Sequence, residues 1–299
     1  MTVVALHRYP VKSMLGESVE QSVVTGRGLL GDRTLAVYDV ESGTVASAKV
    51  PRLWAGLLDF SARFAGEPEP GRPLPDVEIR FPDGSMLRSD DEGVDTALSA
   101  VLGREVRLIA EPPEGSQFEE VWPDLDDLPV ETLAPEQLIE ATTARREESG
   151  ERVSRFDVSA FGASGTFFDL ATLHVLTEST LDRLHELAPD ADFDVRRYRP
   201  NIVLGGDEAG FVENDWPGSD ASIGGVGVRY SFATMRCVMT TLPQGSDLGR
   251  DADTLRTIAK HNRIEIPQVG GVWACAGVYA DVTRDGEIAV GDEHTTPTG

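Results

Sequence analysis

One cysteine, Cys237, stands in the segment 234–245 among residues that point to chemistry. Val238 to Thr241 favours extended backbone, and the Leu-Pro-Gln-Gly that follows is typical of a turn. A strand is therefore expected to deliver the thiol to its end. The neighbouring Arg236 would favour the thiolate, which is the form that attacks electrophiles and binds metals. The alternative is a small buried hydrophobe, the commoner role of a free cysteine.

Three short loops each place a cation or an amide next to a predicted strand, and they are Lys12-Ser13, Asp32-Arg33 and Arg199-Pro200-Asn201. Lysine supplies a point charge, arginine a fork that suits phosphate, serine a hydroxyl, and asparagine both a donor and an acceptor. Lys12 is conspicuous because only Lys49 and Lys260 share its type among 27 basic residues. For each loop alone, solvated surface charge is the better explanation. Together the three loops predict an anion-binding site.

The elements that must position these residues are mostly strands. Alternation and β-branched residues predict strands at 3–9, 19–24, 33–38, 57–64, 77–81, 106–109, 170–176, 202–204, 226–232, 277–282 and 288–290. Helical spacing predicts helices at 94–102, ended by Gly103, at 181–187, capped by Thr177 or Ser179, and at 251–261. The predicted fold class is mainly β with α (α+β), in the form of a barrel or sandwich.

Three segments are predicted along the chain: an N-terminal domain over 1–112, a connection over 113–150 and a second domain over 151–295. The connection is rich in proline and carboxylates, including Glu119-Glu120 and residues 124–127, and is expected at the surface with a helical turn at 135–142. An acidic docking segment is the alternative to a solvated run of charge.

Length and composition exclude several classes of function. The 299 residues, 40% hydrophobic and 26% charged, suit a globular protein of two modest domains or one elaborate barrel. A net charge of −24 argues against a nucleic-acid partner. No apolar run approaches the length of a membrane span, and residues 1–8 lack a signal pattern, so a cytoplasmic location is expected. Two cysteines cannot supply the four ligands of an ordinary iron–sulfur cluster.

Five motifs occur in order: Tyr9-Pro10-Val11-Lys12-Ser13, Gly31-Asp32-Arg33, Leu176-Thr177-Glu178-Ser179, Tyr198-Arg199-Pro200-Asn201-Ile202 and Met235-Arg236-Cys237-Val238-Met239-Thr240-Thr241. Their order resembles the MOSC proteins, named after the C-terminal domain of molybdenum cofactor sulfurase. The resemblance spans nearly the whole chain and implies a β-barrel MOSC domain with an N-terminal β-barrel-like domain. Among characterised relatives the chain is similar to the amidoxime-reducing proteins of mitochondria and their bacterial counterparts, which reduce N-hydroxylated compounds with a pyranopterin molybdenum cofactor.

The resemblance also implies roles for the matching residues. Cys237 would supply a thiolate to molybdenum, with Arg236 beside it at the cofactor. The residues implied to bind the phosphate and pterin of the cofactor are Lys12, Ser13, Arg33, Arg199 and Asn201, with Thr177 and Glu178 as further candidates. The substrate would be a small N-oxygenated compound, and electrons would come from a separate donor protein. The alternative is a module that carries the cofactor, or its sulfurated form, without turnover.

One turn departs from the family pattern. After Thr240-Thr241 the relatives usually carry Asp-Pro-x-Thr-Gly, whereas this chain has Leu-Pro-Gln-Gly-Ser-Asp at 242–247. This turn is expected to lie near the metal and to influence substrate preference. Cys275, in an apolar stretch, matches no ligand of the family and is predicted to be buried in packing.

Overall fold

A computed structural model describes residues 1–122, 133, 143–145, 150–158 and 165–295. The described chain is mainly β with a few helices, which confirms the predicted α+β class. The strands are β1 Thr2–Arg8, β2 Glu17–Val19, β3 Gln21–Thr25, β4 Gly28–Leu29, β5 Ala36–Asp39, β6 Thr44–Val45, β7 Ser61–Phe64, β8 Val77–Arg80, β9 Met86–Arg88, β10 Val106–Ile109, β11 Gln117–Val121, β12 Thr143–Arg145, β13 Arg152–Asp157, β14 Leu173–Thr177, β15 Ile202–Gly205, β16 Asp220–Ile223, β17 Val226–Met235, β18 Arg263–Glu265, β19 Val272–Arg284 and β20 Gly286–Ala289. The helices are α1 Pro51–Trp54, α2 Val94–Leu102, α3 Glu178–Leu187 and α4 Asp253–His261.

The largest sheet joins the first strand of the sequence to the second half of the chain. Its order is β16-β17-β19-β14-β15-β1-β2, with β18 paired to β19. β1 runs antiparallel to β15, with Leu6 opposite Ile202, while β14 and β15 are parallel. A smaller sheet likewise pairs β20 with β3. The two predicted domains thus share sheets, and the boundaries at 112 and 151 stay a prediction.

A six-stranded sheet, in the order β10-β5-β6-β11-β13-β12, contains part of the predicted surface connection. Glu119 and Glu120 lie in β11, and each is only 8% exposed. The expectation that they belong to a solvated run is wrong, because each carboxylate is paired with a cation: Glu119 with Arg155 at 3.0 Å and Glu120 with Lys49 at 3.1 Å. The acidic residues 124–127 and the predicted turn at 135–142 lie outside the described residues.

The predicted helix ends are confirmed. Gly103 ends α2 in the left-handed region, with φ of 68°, where glycine has no steric penalty. Thr177 caps α3, because its side-chain oxygen accepts a hydrogen bond from the Thr180 N–H at 3.2 Å. Within the described ranges, none of the helices combines the length and the apolar character that crossing a bilayer demands.

The segment after Cys237 differs from its prediction. β17 ends at Met235, and Val238–Thr241 forms a 3₁₀ turn rather than a strand. The hydroxyl of Thr240 donates to the Cys237 carbonyl at 3.1 Å, and that of Thr241 donates to the Val238 carbonyl at 2.8 Å. Short polar side chains that bond nearby carbonyls stabilise turns at the expense of extended backbone. These local bonds outweigh the β propensity of the sequence.

Candidate functional site

A cavity of 110 Å³ lies where the three predicted loops meet the end of β17, and Cys237 lines it. We call it the cationic cavity. The only carboxylate among its described lining residues is Asp169. The cations among them are Lys12, Arg33, Lys49, Arg197, Arg199 and Arg236. Because a lining with more cations than carboxylates attracts negative charge, this cavity is suited to an anionic ligand.

The backbone of the cationic cavity is held in an uncommon conformation. Ser13, Arg33 and Arg199 have φ of 63°, 50° and 53°, and they are the non-glycine residues with positive φ in the described part of the chain. All three line the cavity, one on each predicted loop. The left-handed region costs an L-residue about 1–2 kcal/mol. Strain of this kind concentrates at ligand-binding sites, where the surrounding structure enforces it.

Asp32 is the buried carboxylate that joins the three loops. Its Oδ1 accepts the Tyr9 N–H at 2.7 Å, and its Oδ2 accepts Asn201 Nδ2 at 2.8 Å and the Arg33 guanidinium. Asn201 also donates to the His7 carbonyl at 3.3 Å and accepts the His174 N–H at 3.2 Å. Both amide hydrogens of Asn201 are therefore used within the protein. Asn201 thus helps to position the loops, and its expected contact with a heterocycle stays a prediction.

Arg33 and Arg199 retain most of their donors for a ligand. Both guanidinium groups lie over the ring of Tyr9, at 4.3 and 4.2 Å from its centroid. Within the described residues the side chain of Arg33 bonds only Asp32, and the side chain of Arg199 bonds only the Met14 carbonyl, at 2.7 Å. Burial, followed by repulsion from Arg33, lowers the pKa of Arg199 to about 10. These two arginines are the best anion ligands of the cavity.

The other two arginines are committed to the protein. Arg236 donates to the carbonyls of Ala276 and Tyr198 and, at 2.6 Å, to His174 Nε2. Burial and then the charge of Arg236 lower the pKa of His174 well below its ordinary value, so the imidazole is a neutral acceptor. Arg197, which the sequence did not single out, donates to several backbone carbonyls, including that of Leu242 at 3.0 Å. Both residues brace the walls of the cavity.

The thiol of Cys237 is in an environment that opposes ionisation. Burial, reinforced by the charge of Glu120, raises the pKa of Cys237 to about 11, although Lys49 acts in the opposite direction. Arg236 and the thiolate attract each other, as expected, but burial outweighs this attraction. A metal ion that binds this sulfur must displace the proton. Cys275 is fully buried, which confirms its predicted place in the packing.

Two residues that the sequence analysis missed form an ion cluster beside the thiol. Asp169 pairs with Lys12 and, at 3.3 Å, with Lys49. Lys49 also bonds Glu120 at 3.1 Å. The sequence could have indicated Lys49, because it is one of only three lysines, like Lys12. Asp169 belongs to no motif, so only the folded chain reveals its position.

The predicted residues that do not line the cavity are Thr177 and Glu178; the other seven do. Thr177 caps α3 and donates to Glu213 Oε2 at 2.7 Å, while Glu178 is exposed. The turn at 242–247, expected near the site, lines neither this cavity nor the one described next. It still adjoins the cationic cavity at Leu242, whose carbonyl accepts from Arg197, and it packs towards the N-terminal half, where the Gly245 N–H donates to the Leu58 carbonyl at 2.9 Å.

A second cavity, of 260 Å³, adjoins the first, and Cys237 lines both. The residues common to both are Lys49, Asp169, Leu170, Met235, Arg236, Cys237 and Tyr279. The described residues found only in the second are Phe118, Glu120, Trp122, Phe156, Val269 and Trp273. We call this space the aromatic cavity. The thiol thus stands at the junction of a charged space and an apolar one.

Models of two domain families match separate parts of the chain. A model of the MOSC N-terminal beta barrel domain matches residues 1–59, and a model of the MOSC domain matches residues 158–295. Mitochondrial amidoxime-reducing component 1 of Mus musculus is 24% identical over 313 residues, covering 97% of this chain and 81% of that protein. Mitochondrial amidoxime reducing component 2 of Bos taurus is 28% identical over 127 residues, which cover 42% of this chain and only 36% of that protein. Among solved structures, the YUAD protein from Bacillus subtilis aligns with 98% of this chain and 92% of its own, with a TM-score of 0.41 and 9% identity.

Proposed function

The chain belongs to the MOSC family, and from that premise we propose that it binds a molybdenum cofactor and reduces small N-oxygenated compounds, with Cys237 as the protein ligand to the metal. The observation that carries this proposal is the position of Cys237, whose thiol lines both a cationic cavity and an aromatic cavity. The names of the mouse and bovine relatives, which refer to amidoxime reduction, support the class of reaction.

The residues of the cationic cavity fit a cofactor with an anionic end. Arg33 and Arg199 have spare N–H donors in the planar arrangement that binds phosphate, and both are held in place through their backbones. A cysteine thiolate is a soft ligand, suited to a metal already bound by sulfur. When bound, the molybdenum cofactor supplies the two electrons of the reduction. A separate protein is proposed to replenish them.

The rest of the chemistry falls to the protein's own groups. Reduction of an N–OH group consumes two electrons and two protons, breaks the N–O bond and releases the oxygen as water. Loss of the Cys237 proton accompanies metal binding, because its pKa of about 11 keeps the free thiol protonated at neutral pH. The aromatic cavity surrounds the substrate with apolar side chains, while Arg236 and the neutral His174 hold the strands next to the thiol.

A carrier without turnover is the second candidate. The cationic cavity alone would satisfy a carrier, since it needs to hold only the cofactor. The adjoining aromatic cavity favours an enzyme, because a chamber beside the metal ligand gives a substrate somewhere to bind.

The two cysteines provide a matched test. In protein from a host that makes the cofactor, we expect stoichiometric molybdenum in the wild type, retention in Cys275→Ala, and loss in Cys237→Ala, as measured by inductively coupled plasma mass spectrometry. Full occupancy in Cys237→Ala would show that the ligand assignment is wrong. With a reduced viologen as electron donor, the loaded wild type should reduce benzamidoxime. Bound metal with no turnover on a panel of N-oxygenated compounds would favour the carrier.

A further inference from the structure

The aromatic cavity is the larger of the two spaces at Cys237, with 260 Å³ against 110 Å³. We propose that it binds a planar aromatic group of one or two rings, and that Glu120 selects ligands with an N–H donor next to the group to be reduced. The reduction of such a ligand rests on the proposed function, whereas its binding to the cavity does not.

The walls present carbon surfaces to a ligand. Trp122 and Trp273 pack with ring centroids 6.2 Å apart, and Phe118 and Phe156 stack at 5.4 Å. The indole N–H of Trp122 donates to Ser154 Oγ at 2.7 Å, and that of Trp273 donates to the Gly270 carbonyl at 2.8 Å. Because both indole donors are used within the protein, the ring faces bind through stacking and burial of apolar surface. Aromatic ligands gain most from such walls.

The volume limits the size of the ligand. A dry protein cavity of about 150 Å³ is enough to bind benzene. The 260 Å³ of the aromatic cavity therefore accommodates one substituted ring or a fused pair. Flexible aliphatic chains fill such a space less well, because they lose rotational freedom on binding and cannot stack.

Glu120 supplies the polar feature that orients the ligand. Its side chain lines the aromatic cavity, and the residue is 8% exposed. Oε2 accepts a hydrogen bond from Lys49 at 3.1 Å, whereas no residue in the described ranges donates to Oε1. Oε1 therefore has an open acceptor position at a residue that lines a mainly apolar cavity, so a ligand N–H that bonds it gains affinity.

The two features together define a ligand class. The rings occupy the space among the aromatic side chains, and the polar end lies towards Glu120 and Cys237, which line the same cavity. An aromatic amidoxime has both parts, since its amino group donates an N–H beside the N–O bond. An aromatic N-oxide such as pyridine N-oxide has the ring and the N–O bond but no N–H. A cyclohexyl amidoxime has the donor but no ring.

Binding of these three probes to metal-free protein, measured by isothermal titration calorimetry, tests the assignment. The wild type should bind benzamidoxime at least about tenfold more tightly than cyclohexanecarboxamidoxime. Glu120→Gln should weaken benzamidoxime binding about tenfold and leave pyridine N-oxide binding unchanged. Glu119→Gln, on the same strand but outside the aromatic cavity, is the matched control and should change neither.

Trp273→Ala should weaken the aromatic probes more than the cyclohexyl one. If Trp273→Ala does not fold, Trp273→Phe retains a smaller ring and should give a smaller loss of the same kind. Equal affinity of the wild type for benzamidoxime and cyclohexanecarboxamidoxime would overturn the ring assignment. Equal effects of Glu120→Gln on benzamidoxime and pyridine N-oxide would overturn the role of Glu120.

Turnover of loaded protein separates this assignment from the proposed function. If benzamidoxime binds as expected but is not reduced, the proposed reaction fails and the aromatic site stands. If benzamidoxime is reduced and its KM is the same in wild type, Glu120→Gln and Trp273→Phe, the reaction stands and the aromatic site is wrong.

Discussion

The two cavities that meet at Cys237 are built in different ways. The cationic cavity is formed by loops whose backbones adopt left-handed conformations at Ser13, Arg33 and Arg199. The aromatic cavity is formed mainly by side chains on or beside the regular strands β11, β13 and β19. In the first, strained backbone and a buried carboxylate determine which charged donors stay free. In the aromatic cavity, side chains on regular strands pack around an unfilled space. Positioning the charged groups of the cationic cavity therefore costs conformational stability, whereas forming the aromatic cavity does not.

Among the variants that test this contrast, removal of Asp32 should have the largest effect on stability and on cofactor binding. Asp32→Ala leaves the Tyr9 N–H, the Asn201 amide and the Arg33 guanidinium without their shared buried acceptor. We expect the free energy of unfolding to fall by about 3 kcal/mol or more, and bound molybdenum to be lost. Urea denaturation and metal analysis measure the two effects.

Asp32→Asn is the matched variant, because an amide oxygen can still accept the Tyr9 N–H while the charge is gone. It should lose less stability than Asp32→Ala and still retain less metal than the wild type. Wild-type stability in Asp32→Ala would mean that the three loops are held by something other than this carboxylate.

A smaller and more selective effect is expected from Arg199→Lys. Lysine keeps the charge but loses the planar fork, so the affinity for a phosphate-bearing cofactor should fall about tenfold. Benzamidoxime binding to the metal-free protein should not change, because Arg199 lines only the cationic cavity. Arg196→Lys is the control, since Arg196 pairs with Asp194 and Asp247 outside both cavities. A parallel loss of benzamidoxime affinity would show that the two cavities are one site.

The sequence revealed the cationic cavity far better than the aromatic one. Lys12, Arg33 and Arg199 were predicted because three loops with cations or amides next to strands together indicate an anion site, and because each lies in a motif that resembles the family's. Trp122 and Trp273 were missed because aromatic residues in strands are indistinguishable from core by pattern alone. The general fold class followed from alternation, which depends only on local sequence.

Interactions between residues far apart in the chain could not be predicted from the sequence, because they depend on the folded structure. The pKa of Cys237 is raised by burial and by Glu120, which is distant in the chain, and these effects outweigh the attraction to the adjacent Arg236. The pairing of Lys12 with Asp169 likewise joins residues 157 positions apart. The turn at Val238–Thr241 was missed because hydroxyl bonds to nearby carbonyls outweighed β propensity.

The smallest expected effect tests the strain itself. Arg33→Ala and Arg33→Gly both remove the guanidinium, so both should lose the cofactor. At φ of 50°, however, alanine keeps the steric cost of the left-handed region and glycine does not. The glycine variant should therefore be more stable by about 1 kcal/mol in urea denaturation. At Arg107, an exposed residue of β10 with ordinary strand backbone, the order should reverse, because glycine weakens a strand interior. If alanine is the more stable variant at both positions, residue 33 is not held in a strained conformation, and the contrast between the two cavities reduces to their charge alone.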